Sequence, residues 1–137
     1  MHSIRKFPIR TLASTVAAAV ALSLACGTAR AEEKPGMVLK HIVMYKFKDD
    51  QKPEQIQEVV DTFAGLPAKI DKIIGFEHGT NVSQEGKSEG FTHVFTVTFR
   101  DQAGLADYLV HPAHLHYVSV VKDRREKVIV FDYWTKP

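Results

Sequence analysis

Cysteine is almost missing from this 137-residue chain: the single one, Cys26, comes early and none follows it. The remainder therefore has no disulfide framework, no thiolate metal ligand and no thiol nucleophile. Serine does not replace it, because no serine stands in a recognisable nucleophile turn. No glycine-rich loop follows a strand in the way phosphate binding requires, and no His-Glu-x-x-His spacing occurs. Lysine and arginine form no stripe interleaved with aromatics, so nothing points to nucleic acid as a partner. The apolar run at 11–25 falls short of the about 20 residues that a stable membrane span needs.

That run has another reading. Arg5, Lys6 and Arg10 precede it, and Ala29-Arg30-Ala31 follows it as a small-residue cleavage site. The pattern predicts an export signal over residues 1–31 and a mature chain beginning near Glu32, periplasmic or extracellular. Ser23-Leu24-Ala25-Cys26 loosely matches a lipoprotein box, which offers lipidation of Cys26 as a competing fate. Loss of residues 1–31 removes four cations and no acid, so the formal charge changes from +2 to −2. The 106 residues left suffice for one small domain with a modest core.

Behind a short lead at 32–38, the domain spans 39–137. His41, Val43, Tyr45 and Phe47 alternate on one face of a strand at 40–48, while Ile42 and Met44 make its other face apolar too. Pro53 opens a helix in which Ile56, Val59, Val60, Phe63 and Leu66 recur at helical spacing until Pro67. Strands are expected at 73–82 and 91–99, joined by a polar loop with Gly86 and Gly90. Phe91, His93, Phe95, Val97 and Phe99 share one side of the latter strand. Asp101 can cap a helix at 102–109, a further helix is expected from Pro112 to about 126, and a last strand from 127 to 134. Val128, Val130, Asp132 and Trp134 share one face of that strand.

The order strand, helix, strand, strand, helix, strand predicts an α+β fold, the ferredoxin-like βαββαβ arrangement. Its four-stranded antiparallel sheet carries helices on one face. The other face, with Ile42, Met44 and Val94, needs covering, and a second copy of the chain is the expected cover.

Chemistry concentrates in Tyr108-Leu109-Val110-His111-Pro112-Ala113-His114-Leu115-His116-Tyr117. Pro112 disfavours the α region at His111, so one helix ends there and another begins. His111, His114, Val118 and Val121 form one stripe of the second helix, which turns an imidazole toward the core beside a phenol. His41, His93, His111, His114 and Asp132 have the chemistry of metal ligands, but their spacing fits no known metal signature, and no metal or other cofactor is expected.

Lys40-His41-Ile42-Val43-Met44-Tyr45-Lys46-Phe47-Lys48, Gly90-Phe91-Thr92-His93-Val94, the Tyr-x-x-His-Pro-Ala-His run at 108–114 and Phe131-Asp132-Tyr133 together resemble the stress-responsive dimeric α+β barrel domain family. The resemblance covers essentially all of the mature chain. It implies a ferredoxin-like subunit whose sheet packs on that of its partner. The family includes plant stress proteins of undefined chemistry and a plant polyketide cyclase that closes an aromatic ring by aldol condensation. The catalytic tyrosine and histidine of that cyclase match Tyr108 and His114, and further pocket positions match His41, His93 and Asp132. The cyclase has a tyrosine in its first helix where this chain has Phe63, so Phe63 is a further matched pocket position, one that lacks the polar anchor for substrate. Its intracellular substrate also contrasts with the export signal expected here.

Two functions remain open. One is a homodimeric, stress-protective module that binds a small apolar molecule in a histidine-lined pocket without turnover. The other is a cofactor-independent lyase or cyclase in which His114 is the base, oriented by a carboxylate such as Asp132, and Tyr108 its partner. A plainer role for His114 is to fasten helix to sheet through a bond to Asp132.

Overall fold

The computed structural model describes residues 33–137; the expected export signal and Cys26 lie outside them. Seven elements follow in the order β1 (Val38–Phe47), α1 (Pro53–Ala64), β2 (Ile73–Thr80), β3 (His93–Phe99), α2 (Gln102–Val110), α3 (Pro112–Val121) and β4 (Arg125–Thr135). The strands form one sheet in the order β2-β3-β1-β4 with every neighbouring pair antiparallel. This is the ferredoxin-like arrangement, in which β1 and β3 hold the centre and β4 is an edge. Among the described residues no helix is long and apolar enough to cross a membrane.

Alternation on the central strands decides which face is covered. Leu39, His41, Val43, Tyr45 and Phe47 of β1 are all buried, as are Phe95, Val97 and Phe99 of β3. Against them pack Val59 and Phe63 of α1, Leu105 and Tyr108 of α2, and Tyr117 and Val121 of α3. Burying that apolar face is the main source of stability.

Local chemistry sets the helix ends. Pro53 opens α1, and the Gln55 side chain accepts the Lys52 backbone N–H at 2.9 Å. Asp101 caps α2 by accepting the Gly104 N–H at 2.7 Å. The expected boundaries shift at α3, at β4 and at both ends of the β2–β3 loop. Helix α3 stops at Val121 instead of continuing to about 126, and β4 starts at Arg125 instead of 127. The reason is the ladder: Arg125 pairs with Phe47 across a register shift, and the Lys48 N–H donates to the Arg124 carbonyl at 3.0 Å. Arg124, past the end of α3, reaches back to α1, donating to the Gln55 carbonyl and to Glu58. The loop between β2 and β3 takes 81–92, longer at both ends than expected, with Glu89, Gly86 and Gly90 at positive φ.

Candidate functional site

The break between α2 and α3 is built by two adjacent residues. His111 has extended backbone angles (φ −66°, ψ 136°), and its Nδ1 accepts the Ala113 N–H at 3.1 Å, capping α3 while Pro112 occupies the first helical position. The kink carries Tyr108, in the last turn of α2, onto His114, in the first turn of α3, with ring centroids 4.2 Å apart.

His114 Nδ1 lies 3.1 Å from the Leu109 carbonyl oxygen. A carbonyl can only accept, so Nδ1 carries the hydrogen and Nε2 of the neutral ring keeps its lone pair. Burial pushes the pKa of this imidazole down, the Leu109 carbonyl partly opposes that, and His41 and His111 depress it further. Near neutral pH His114 is a free base with one nitrogen anchored and the other available.

Tyr108 is 1 % exposed, and among the described residues no hydrogen bond reaches its hydroxyl; the one fully enclosed side-chain polar atom left unpartnered there is Gln51 Oε1, so the Tyr108 oxygen keeps a narrow contact with solvent. Burial raises its pKa far above the ordinary phenol value, and Tyr45 adds to the rise, so the group remains a proton donor. The His41 and Tyr108 rings meet at a steep angle, T-shaped, with centroids 5.7 Å apart. His41 Nδ1 pairs with Asp132 Oδ1 at 2.6 Å. Asp132 was expected to orient His114; it binds His41 because the β1–β4 register sets the two directly opposite on one face. The residues thus run Asp132, His41, Tyr108, His114 from the sheet edge to α3.

The other two candidates sit elsewhere. His93 shares the face of His41, but the residue opposite His41 on β3 is Val97, four positions along. There His93 bonds the Thr92 hydroxyl at 2.8 Å and makes a T-shaped contact with Phe47, ring centroids 5.2 Å apart. Burial and His78 lower its pKa. Phe63 is fully buried, stacked on Phe95 with centroids 4.4 Å apart and equally close to Tyr117. Among the described residues no three His, Cys, Asp or Glu side chains gather as a metal site.

Tyr45 and Tyr117, which no periodicity in the sequence brings together, place their hydroxyls 2.7 Å apart in a buried hydrogen bond. Burial raises both pKa values; the bond between them lowers that of Tyr45 and raises that of Tyr117. Two signals were present: Tyr45 has the buried parity of β1, and Tyr117 lies three residues after His114 on α3.

The depressed pKa values of His114 and His93 give stability a pH dependence of definite sign. Below the ordinary histidine value of 6.5 the unfolded chain takes up protons that the folded chain resists, so this contribution is full above that pH and is lost as pH falls. The melting temperature should drop between about pH 7 and 5, and His114→Gln should flatten the drop. A gap between the two proteins that stays constant over that range would contradict the assignment.

The stress responsive A/B barrel domain model matches residues 39–135. The chain is 37 % identical over 102 residues to the stress-response A/B barrel domain-containing protein HS1 of Arabidopsis thaliana, covering 74 % of this chain and 93 % of that one. It is 36 % identical over 97 residues to olivetolic acid cyclase of Cannabis sativa, covering 71 % and 96 %. A solved dimeric protein of unknown function and ferredoxin-like fold from Bacteroides fragilis is 30 % identical, with a TM-score of 0.58 over 72 % of this chain and 95 % of that one. By the span of the domain match and by these identities, the chain belongs to the stress responsive A/B barrel domain family.

Proposed function

We propose that this chain acts as an exported homodimer that binds a small apolar molecule carrying a carbonyl oxygen beside His114 and Tyr108. One observation carries the reading: a neutral imidazole whose Nδ1 is tied to the Leu109 carbonyl lies against a phenol with no partner among the described residues. A structural pair would spend its polar atoms on the protein. The apolar character follows from the surroundings, since Leu109, Val110 and Leu115 stand exposed around the α2–α3 break. The homodimer is supported by the dimeric relative and by the apolar outer face of the sheet.

The same atoms favour a second, chemical reading, to which the cyclase relative adds weight. His114 Nε2 takes the proton from the carbon next to the bound carbonyl, the electron pair moves onto the carbonyl oxygen, and the Tyr108 hydroxyl donates to that oxygen. The enolate carbon can then attack a second carbonyl of the same molecule, and the imidazolium returns the proton to the new alkoxide. Neither step needs a cofactor.

Benzoylacetone, an apolar β-diketone, is a suitable probe. Titration calorimetry should detect binding, and Tyr108→Phe should weaken it about tenfold, the value of one hydrogen bond. No heat with the unaltered protein, or equal affinity for the variant, overturns the reading. N-terminal sequencing of protein recovered from its own host tests export, with a start near Glu32 expected and an intact Met1 contradicting it.

A further inference from the structure

The face of the sheet turned away from the helices carries a hole and a knob. Lys40 bonds Thr98 at 2.8 Å and Glu77 at 3.3 Å, and Lys46 pairs with Glu126 at 3.0 Å, so the lysines of β1 are neutralised. Between them Ile42, Met44, Val94, Thr96, Ile129 and Phe131 make a strip without charge. At one end of the strip lies a cavity of about 410 Å³; Met44, Val94, Ile129 and Phe91 give it a mainly apolar wall, and the 81–92 loop adds Lys87 and Glu89 to its lining. Next to it stands Phe131, 60 % exposed, with Tyr133 beside it at 6.1 Å between ring centroids. Ile129 and Phe131 are two residues apart on β4, roughly 7 Å along the same face.

A surface whose middle is apolar and whose charges, Lys87, Glu89 and Lys127 among them, lie toward one end can match itself under a two-fold rotation when it holds both an aromatic knob and a mainly apolar hole. Each knob then lies over the hole of the other copy, and both apolar groups leave water together. An unrelated partner would have to supply a separate match to each feature. A second copy supplies both.

The opposite side of β4 links this contact to the candidate site. Beta-4 is an edge strand held by β1 alone, and neither face is well covered: Val130 is 53 % exposed on the helix side. Asp132, which holds His41, is the residue after Phe131 and points to the other face.

We propose that Phe131 of each subunit seats in its partner's cavity on the outer face of the sheet, and that this contact fixes β4 so that Asp132 stays against His41. The inference rests on the homodimer reading above and goes further by naming the anchor and tying it to the site.

Sedimentation equilibrium of the whole chain separates the two. The unaltered protein should be a dimer at micromolar concentration, and Phe131→Ala should raise the dimer dissociation constant by about 30-fold or more, as for a central aromatic anchor. Val94→Phe, which fills the hole and leaves the knob, should weaken the dimer similarly. In the monomeric variant the β4 amides should exchange hydrogen about tenfold faster than in the dimer, with β3 amides unchanged. A monomeric unaltered protein overturns the homodimer itself. An unaltered dimer whose affinity either substitution leaves intact overturns the anchor alone, and equal β4 exchange overturns the link to Asp132.

Discussion

Phe63→Ala should destabilise the chain by about 3–5 kcal/mol, the usual cost of truncating a fully enclosed phenylalanine. The ring stacks on Phe95 at 4.4 Å and 20°, meets Tyr117 at 4.4 Å and touches Phe76 at 5.5 Å. Its removal opens a void bounded by three aromatic side chains, Phe76 of β2, Phe95 of β3 and Tyr117 of α3. Urea unfolding with an unchanged slope measures the loss directly. A loss below about 1 kcal/mol would mean that Phe63 borders open space instead, and would return it to the wall of a ligand pocket. Phe63→Tyr adds a second test. It sets a phenol among Phe76, Phe95 and Tyr117, where an unmatched hydroxyl costs about 1–3 kcal/mol.

His114→Asn should slow deuterium exchange at the central carbon of bound benzoylacetone by about 100- to 10,000-fold, the usual contribution of a positioned base. The choice of asparagine matters. Its amide nitrogen sits where Nδ1 did and can still donate to the Leu109 carbonyl, so the α2–α3 break keeps its contact while the basic Nε2 is gone. Stability near neutral pH should therefore change by less than about 1 kcal/mol. Exchange that persists at the original rate removes His114 from the chemistry. A loss of 1–3 kcal/mol with unchanged exchange assigns it to fastening the helices instead.

The parts of the fold legible in the sequence were those set by short periods. Alternation in β1 and β3 placed His41, Tyr45, Phe95 and Phe99 on the helix-covered face, because successive strand side chains must point to opposite sides. Pro112 likewise marked the break at His111 from backbone sterics alone. What was not legible depends on which residues lie opposite one another. Parity assigned His41 and His93 to one face but is silent about position along it, and four residues of β3 separate His93 from the residue facing His41. The partner of Asp132 is a matter of register, which pairs it with His41 and leaves His114 to a carbonyl from its own kink. The Tyr45–Tyr117 bond joins residues 72 positions apart, and a helix stripe drawn through His111 and Val118 runs past it. The end of α3 followed the same rule: helical propensity extended it, and pairing of Arg125 with β1 cut it short.

The charge and tautomer of one ring carry the functional account. Long-range proton–nitrogen NMR on uniformly labelled protein, recorded from pH 8 to 5 with and without benzoylacetone, reads both. The account predicts that His114 bears its hydrogen on Nδ1, titrates below the ordinary histidine value, and moves its Nε2 resonance when the probe is added. A ring protonated on Nε2 at neutral pH, or an Nε2 signal indifferent to the probe, would contradict it.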